Sequence, residues 1–242
     1  MAIKSNFSHV VELVVSPFGR GLAAMGLTAN MLTTLGIVLT GVAAWQVVVG
    51  NPVAAGWFLV AGGLMDTFDG AVARATSAST PFGGFYDSVS DRVSDGIILA
   101  AMSWWLRDSP RLFALAAVAL VAAQVTSYVR ARAEAIDLTC SIGIMERAER
   151  AILLMAALVF HRWLLEPILW VLAVGGAVTI IQRVHHVWCQ IDRDIPDELM
   201  AYTGGDRAWN RAFTAAARGF FGPQNFDRAY DELASSAPRG DA

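Results

Sequence analysis

Of the 242 residues, 55% are hydrophobic and only 16% are charged, with a formal net charge of −3 and a mean hydropathy of +0.49. So apolar a chain excludes a disordered protein, a disulfide scaffold and an ordinary soluble enzyme, because so few charges cannot cover a globule without very large apolar patches. A transmembrane helix takes roughly 20 apolar residues, so the length accommodates about six spans in one membrane domain.

In chain order, residues 1–27 do not read as a signal peptide, since Glu12 and Arg20 interrupt the apolar run. Phe7, Val10, Val11, Val14 and Phe18 recur at helical spacing, which describes an amphipathic helix lying in the cytosolic interface or, equally, packed on the core. Six apolar stretches follow, at about 28–49, 53–75, 82–106, 110–133, 148–164 and 167–189, with turn-like breaks at Asn51-Pro52, Thr80-Pro81, Ser109-Pro110 and Glu166-Pro167. Only helices satisfy their own backbone groups in such single spans. The expected fold is therefore all-α: a polytopic membrane protein of six transmembrane helices over 28–190, preceded by the N-terminal interfacial amphipathic segment 1–27.

Orientation follows from the arginines. Lys4, Arg20, Arg74, Arg130, Arg132, Arg147, Arg150 and Arg193 fall on one side and only Arg107, Arg111 and Arg162 on the other. Both termini are then expected in the cytosol, with Trp45, Trp57, Trp104, Trp105, Trp163 and Trp170 near the outer interface. Residues 191–242 form a cytosolic tail with nine acidic and six basic residues, which carries the whole net charge. Leu199, Trp209, Phe213, Phe220, Phe221 and Phe226 suggest short helices there. Cys140 and Cys189 have no metal-ligand or disulfide spacing and read as inert.

The membrane pattern is broken by acids. Asp66, Asp69, Asp87 and Asp91 stand in the segment MDTFDGAVARATSASTPFGGFYDSVSD, across the second and third spans. Ionisable groups in a span are costly and point to function. Spacings of three and four place each pair on one helix face, and a short connection brings the pairs face to face at the cytosolic end. Four such carboxylates need protons or cations, and an all-oxygen set favours Mg²⁺, Mn²⁺ or Ca²⁺ over zinc. Arg74, one turn beyond, adds a guanidinium suited to a phosphate-bearing substrate. Gly70 leaves room for close approach of a nucleotide, whereas Gly83 is as readily a helix-packing glycine.

Read from Asp66 to Asp91, D-x2-D-G-x2-A-R-x8-G-x3-D-x3-D resembles the signature of the CDP-alcohol phosphotransferases, membrane enzymes that join a CDP-linked lipid or alcohol to an acceptor hydroxyl and release CMP. LTANMLTTLG (27–36) is similar to the start of that family's first span, with Ala29 where a proline is common. SYVRARAE (127–134), MERAERAI (145–152) and QRVHHVW (182–188) resemble its bacterial branch that makes phosphatidylinositol phosphate.

The resemblance implies that Asp66, Asp69, Asp87 and Asp91 hold two magnesium ions, with Mn²⁺ an alternative, and that Asp91 also acts as general base. It implies that Ala29, Asn30, Met31, Leu32, Gly70, Arg74 and Thr80 contact CDP-diacylglycerol, and that Arg130, Arg150 and Arg183 bind the phosphate of a phosphorylated polyol acceptor. Arg130 stands where relatives carry lysine. A homodimer in the cell (inner) membrane, with the active site on the cytosolic side and no nucleic-acid partner, is expected.

Other polar residues admit simpler roles. Glu134, Glu146 and Glu149 are expected to pair with the arginines, and Asp95 is either an outer partner of the acid cluster or a buried acid satisfied by a neighbouring helix. His185 and His186, adjacent and about 100° apart on a helix, cannot face one metal together. The rival readings are a phosphatidylglycerophosphate synthase using glycerol 3-phosphate and, from another class, a divalent-cation transporter. The transporter would place acids near the midplane of symmetry-related helices; this chain clusters them in consecutive helices and shows no repeat.

Overall fold

The computed structural model describes residues 17–76 and 80–194. The predicted amphipathic positions Phe7, Val10, Val11 and Val14, and the tail beyond 194, lie outside the described residues. Among the described residues the structure is all helical. After a helical stretch over 17–24 come α1 (Ala29–Val48), α2 (Pro52–Ala75), α3 (Pro81–Trp105), α4 (Pro110–Glu134), α5 (Arg147–Val159) and α6 (His161–Asp194). One compact unit runs to Trp188 and a second begins at Cys189.

Three of the four predicted prolines open helices. Pro52, Pro81 and Pro110 each occupy the first helical turn of α2, α3 and α4, where a missing N–H costs nothing. The fourth differs: the break expected at Glu166-Pro167 falls instead at Phe160, and Pro167 lies inside α6. A proline there forfeits only one intrahelical bond, which the apolar packing of Leu165, Ile168, Leu169 and Leu172 outweighs. The fifth stretch is correspondingly shorter than expected, 13 residues.

Among the described residues three helices are long and apolar enough to cross a membrane: Ala29–Val48, Pro110–Glu134 and His161–Gln190. Val38, Val118, Val121, Val171, Val174 and Ile181 stand exposed on them, an outer surface suited to lipid. The other helices carry the acids or, in α5, fall short of 18 residues.

One apolar core joins all six helices, with Val47, Leu59, Ile98, Met102, Leu158 and Leu169 at its centre. Helix α1 packs on α2 and α3, α3 on α4, and α2 on α5. Small residues set the close approaches, as expected where lipid supplies no hydrophobic drive. A Cβ on Gly19 would lie 2.7 Å from that of Ala71, so the stretch 17–24 is seated against α2, where Phe18 also meets Phe68. Of the six tryptophans expected near the outer interface, Trp105 packs on the core beside His161, and Trp45, Trp57, Trp104, Trp163 and Trp170 are exposed.

The connection 135–146 is held to α6 by named bonds. Asp137 turns left-handed at φ 57 after α4. Ile144 and Met145 donate backbone N–H to Gln182 (3.3 Å) and Thr179 (3.1 Å), and Arg183 Nε donates to the Ile142 carbonyl at 2.8 Å. Gly143, at φ 136, faces Thr179 so closely that a Cβ would sit 2.4 Å from its Cγ2. Burial within this connection raises the pKa of the Cys140 thiol, in keeping with an inert cysteine.

Candidate active site

Three of the four acids come together directly. On α2 and α3, carboxylate oxygens of Asp66, Asp69 and Asp87 approach within 4.8 Å of one another. Asp69 is buried and accepts a 2.7 Å hydrogen bond from the Thr33 hydroxyl of α1. With no His or Cys in the group, the donor set suits a hard divalent cation.

Asp91 is brought to the same place through a different partner. Arg147, at the start of α5, donates from Nη1 and Nη2 to the two carboxylate oxygens of Asp66 at 3.0 and 2.9 Å, and its Nη2 also lies 2.5 Å from Asp91. A fork of this kind fixes direction as well as charge.

On one side of the cluster, the starts of α1 and α3 open on a cavity of about 510 Å³ lined by Thr28, Asn30, Asp69, Gly70, Thr80 and Asp87, among others. Thr28 and Thr80 cap these helices, accepting from the N–H groups of Met31 (3.3 Å) and Gly83 (3.0 Å). Two helix N-termini therefore face one cavity, an arrangement that favours a diphosphate. A Cβ on Gly83 would crowd Thr80 Oγ1 at 3.2 Å with Asn30 Oδ1 at 3.6 Å, and one on Gly70 would meet Arg74 Nη1 at 3.3 Å. Both glycines thus let polar side chains close in on the cavity wall.

On the other side lies a basic cavity of about 310 Å³, bordered by Asp91, Arg130, Arg147, Arg150 and Arg183. Arg150 is buried and donates to Asp95 at 2.8 Å; its Nε has no partner. Arg183 spans α4 and the 135–146 connection through the carbonyls of Thr126 and Ile142, each at 2.8 Å. Arg130 is half exposed and pairs with Glu134 one turn on.

The structure thus groups Asp66, Asp69 and Asp87, joins Asp91 to them through Arg147, and collects Arg130, Arg150 and Arg183 in one cavity. Ala29, Asn30, Gly70 and Thr80 line the other cavity, and Arg74 lies beside Gly70. Met31 is exposed and Leu32 is buried in the protein interior, and neither lines that cavity. Of the two expectations for Asp95, the neighbouring helix is the one seen, through Arg150. Sequence reasoning misses Thr33 and reads Arg147 only as one of the orientation-setting arginines; the spacing of Arg147 and Arg150, three apart on one face, is the available signal for more.

A family model described as CDP-alcohol phosphatidyltransferase matches residues 26–188. Phosphatidylinositol phosphate synthase from Mycobacterium bovis is 37% identical over 213 residues, covering 80% of this chain and 94% of that protein. Archaetidylinositol phosphate synthase from Methanothermobacter thermautotrophicus is 35% identical over 188 residues, 76% of this chain and 93% of its own. Crystal structures of Mycobacterium tuberculosis phosphatidylinositol phosphate synthase are also similar, at 33% identity and TM-score 0.68. The one with CDP-DAG bound covers 72% of this chain and 94% of its own; the complex with manganese and citrate covers 72% and 88%.

Proposed function

The chain belongs to the CDP-alcohol phosphatidyltransferase family, a transferase of phospholipid biosynthesis, and from that premise we propose that it transfers the phosphatidyl group of CDP-diacylglycerol to a hydroxyl of inositol phosphate. CMP leaves and phosphatidylinositol phosphate forms. The observation that carries this reading is the basic cavity, whose arginines border Asp91 and suit a phosphorylated acceptor. The two relatives differ in the lipid their names give and agree on inositol phosphate.

Divalent metal suits the acid cluster, as the manganese complex of the similar protein illustrates. Asp66, Asp69, Asp87 and Asp91 would hold two ions, Mg²⁺ or Mn²⁺. Bound there, they would supply Lewis-acid polarisation of the diphosphate and offset charge on departing CMP. The chain's own residues do the rest. The starts of α1 and α3, with Asn30, Thr80 and Arg74, orient the donor's diphosphate. Arg130, Arg150 and Arg183 hold the acceptor phosphate, so that its hydroxyl meets the phosphorus bearing diacylglycerol. An Asp91 carboxylate oxygen takes the hydroxyl proton as the new P–O bond forms and the bond to CMP breaks.

The same reading places six spans in the cell membrane, both termini and the site on the cytosolic side, and two copies in a homodimer. Lipid tails then remain in the bilayer while the polar acceptor arrives from water.

Purified protein given CDP-diacylglycerol with equal inositol phosphate, inositol and glycerol 3-phosphate should yield phosphatidylinositol phosphate. Preference for glycerol 3-phosphate would assign the chain to the sister activity, and equal use of free inositol would overturn the phosphate role of the basic cavity. Arg130→Ala is the cleanest probe of that cavity, because Arg130 is half exposed and pairs with Glu134 one turn on in its own helix. Loss of one charged hydrogen bond to phosphate costs about 1.5 to 3 kcal/mol, so the KM for inositol phosphate should rise roughly tenfold to more than a hundredfold. CDP-diacylglycerol affinity should be unchanged in the same binding assay.

A further inference from the structure

We propose that Arg147 is the resident counter-ion of the aspartate cluster, displaced by metal into the basic cavity, so that metal occupancy and acceptor binding are coupled. The inference rests on the functional reading above, in which the aspartates hold metal and the basic cavity holds the acceptor phosphate. Its grounds are geometric. Both oxygens of Asp66 are engaged by the Arg147 fork, and the same guanidinium reaches Asp91. A divalent ion held by Asp66 would therefore compete with Arg147 for the same two oxygens, and two cations sharing one carboxylate repel.

Charge gives the exchange a direction. Four aspartates and one guanidinium sum to −3, so without metal Arg147 offsets part of the cluster's charge; two divalent ions would neutralise the four carboxylates and remove the attraction that holds it. A displaced guanidinium has a destination. Arg147 borders both a small cavity beside the cluster, where Thr33, Ser90 and Asp95 stand among apolar residues, and the basic cavity with Arg130, Arg150 and Arg183. Its side chain therefore already stands at the boundary between the two. Arg130 and Arg150 are already paired there with Glu134 and Asp95, so a phosphate in that cavity supplies the displaced guanidinium with an anionic partner. By linkage, acceptor then tightens metal binding as much as metal tightens acceptor binding.

The test is Mn²⁺ binding to the full chain in detergent, read by electron paramagnetic resonance of the free ion. It uses wild type, Arg147→Gln and Arg147→Lys, each with and without whichever phosphorylated acceptor the product assay selects. Arg147→Gln should bind Mn²⁺ about fivefold tighter or more without acceptor, and acceptor should tighten binding by a similar factor in wild type only. Arg147→Lys, which keeps charge but not the fork, should fall between. Thermal melts guard against a merely structural role: Mn²⁺ should raise the Tm of Arg147→Gln by more than that of wild type, whereas a structural arginine would lower both melts equally. Equal Mn²⁺ affinity and equal acceptor coupling in wild type and Arg147→Gln would overturn the proposal and leave the metal site standing. Absence of Mn²⁺ binding in every variant would overturn both.

Discussion

Asp69→Asn should lower CMP release from CDP-diacylglycerol by roughly three orders of magnitude, since Lewis-acid stabilisation is worth several kcal/mol and each 1.4 kcal/mol is a factor of ten. The substitution is nearly isosteric, and an amide oxygen can still accept from Thr33, which now donates to Asp69 at 2.7 Å. Structure is thereby preserved while a negative charge is removed from the point where three carboxylates converge within 4.8 Å. Exhaustive chelation of the wild type should produce the same loss, and added Mg²⁺ or Mn²⁺ should reverse it in the wild type but not in the variant. Full activity of metal-stripped protein would end the metal-dependent reading. A melt of Asp69→Asn close to that of wild type is the accompanying check that chemistry and not folding is being read.

Asp91→Asn separates the two roles assigned to one carboxylate. Loss of a general base costs typically 10² to 10⁴ in rate, so kcat should fall by about that factor. The donor cavity is lined by Asp69 and Asp87 but not by Asp91, so CDP-diacylglycerol should bind with nearly wild-type affinity. Near wild-type turnover across pH would show that another group takes the proton. Weakened donor binding would instead mark Asp91 as chiefly a metal ligand.

Much of this was legible in the chain, and the reasons differ by residue. Pro52, Pro81 and Pro110 announce helix starts because a proline's missing N–H is harmless only there. Pro167 misleads because the same chemistry is tolerable, at the loss of one bond, within a helix held by apolar contacts. The aspartates were legible because spacings of three and four fix a face wherever the segment is helical. Which aspartate meets which cation was not. Arg147 and Asp66 are 81 positions apart, and their meeting depends on the rotation of α5 against α2, which no local pattern encodes. Moreover, an arginine at the cytosolic end of a span satisfies a topology rule before it suggests anything else. Thr33 was hidden in the same way, since its role appears only once α1 is docked on α2.

The two cavities have no lining residue in common, and they meet across a single turn of α3, where Asp87 faces one and Asp91 the other. For turnover this means that nucleotide lipid and polyol phosphate need not take turns. Both can be resident at once, so initial-rate plots against either substrate should intersect, and no phosphatidyl-enzyme should survive removal of the second substrate. With attack from one cavity and departure into the other, a single displacement at phosphorus should also invert its configuration, which a chiral phosphorothioate donor would record.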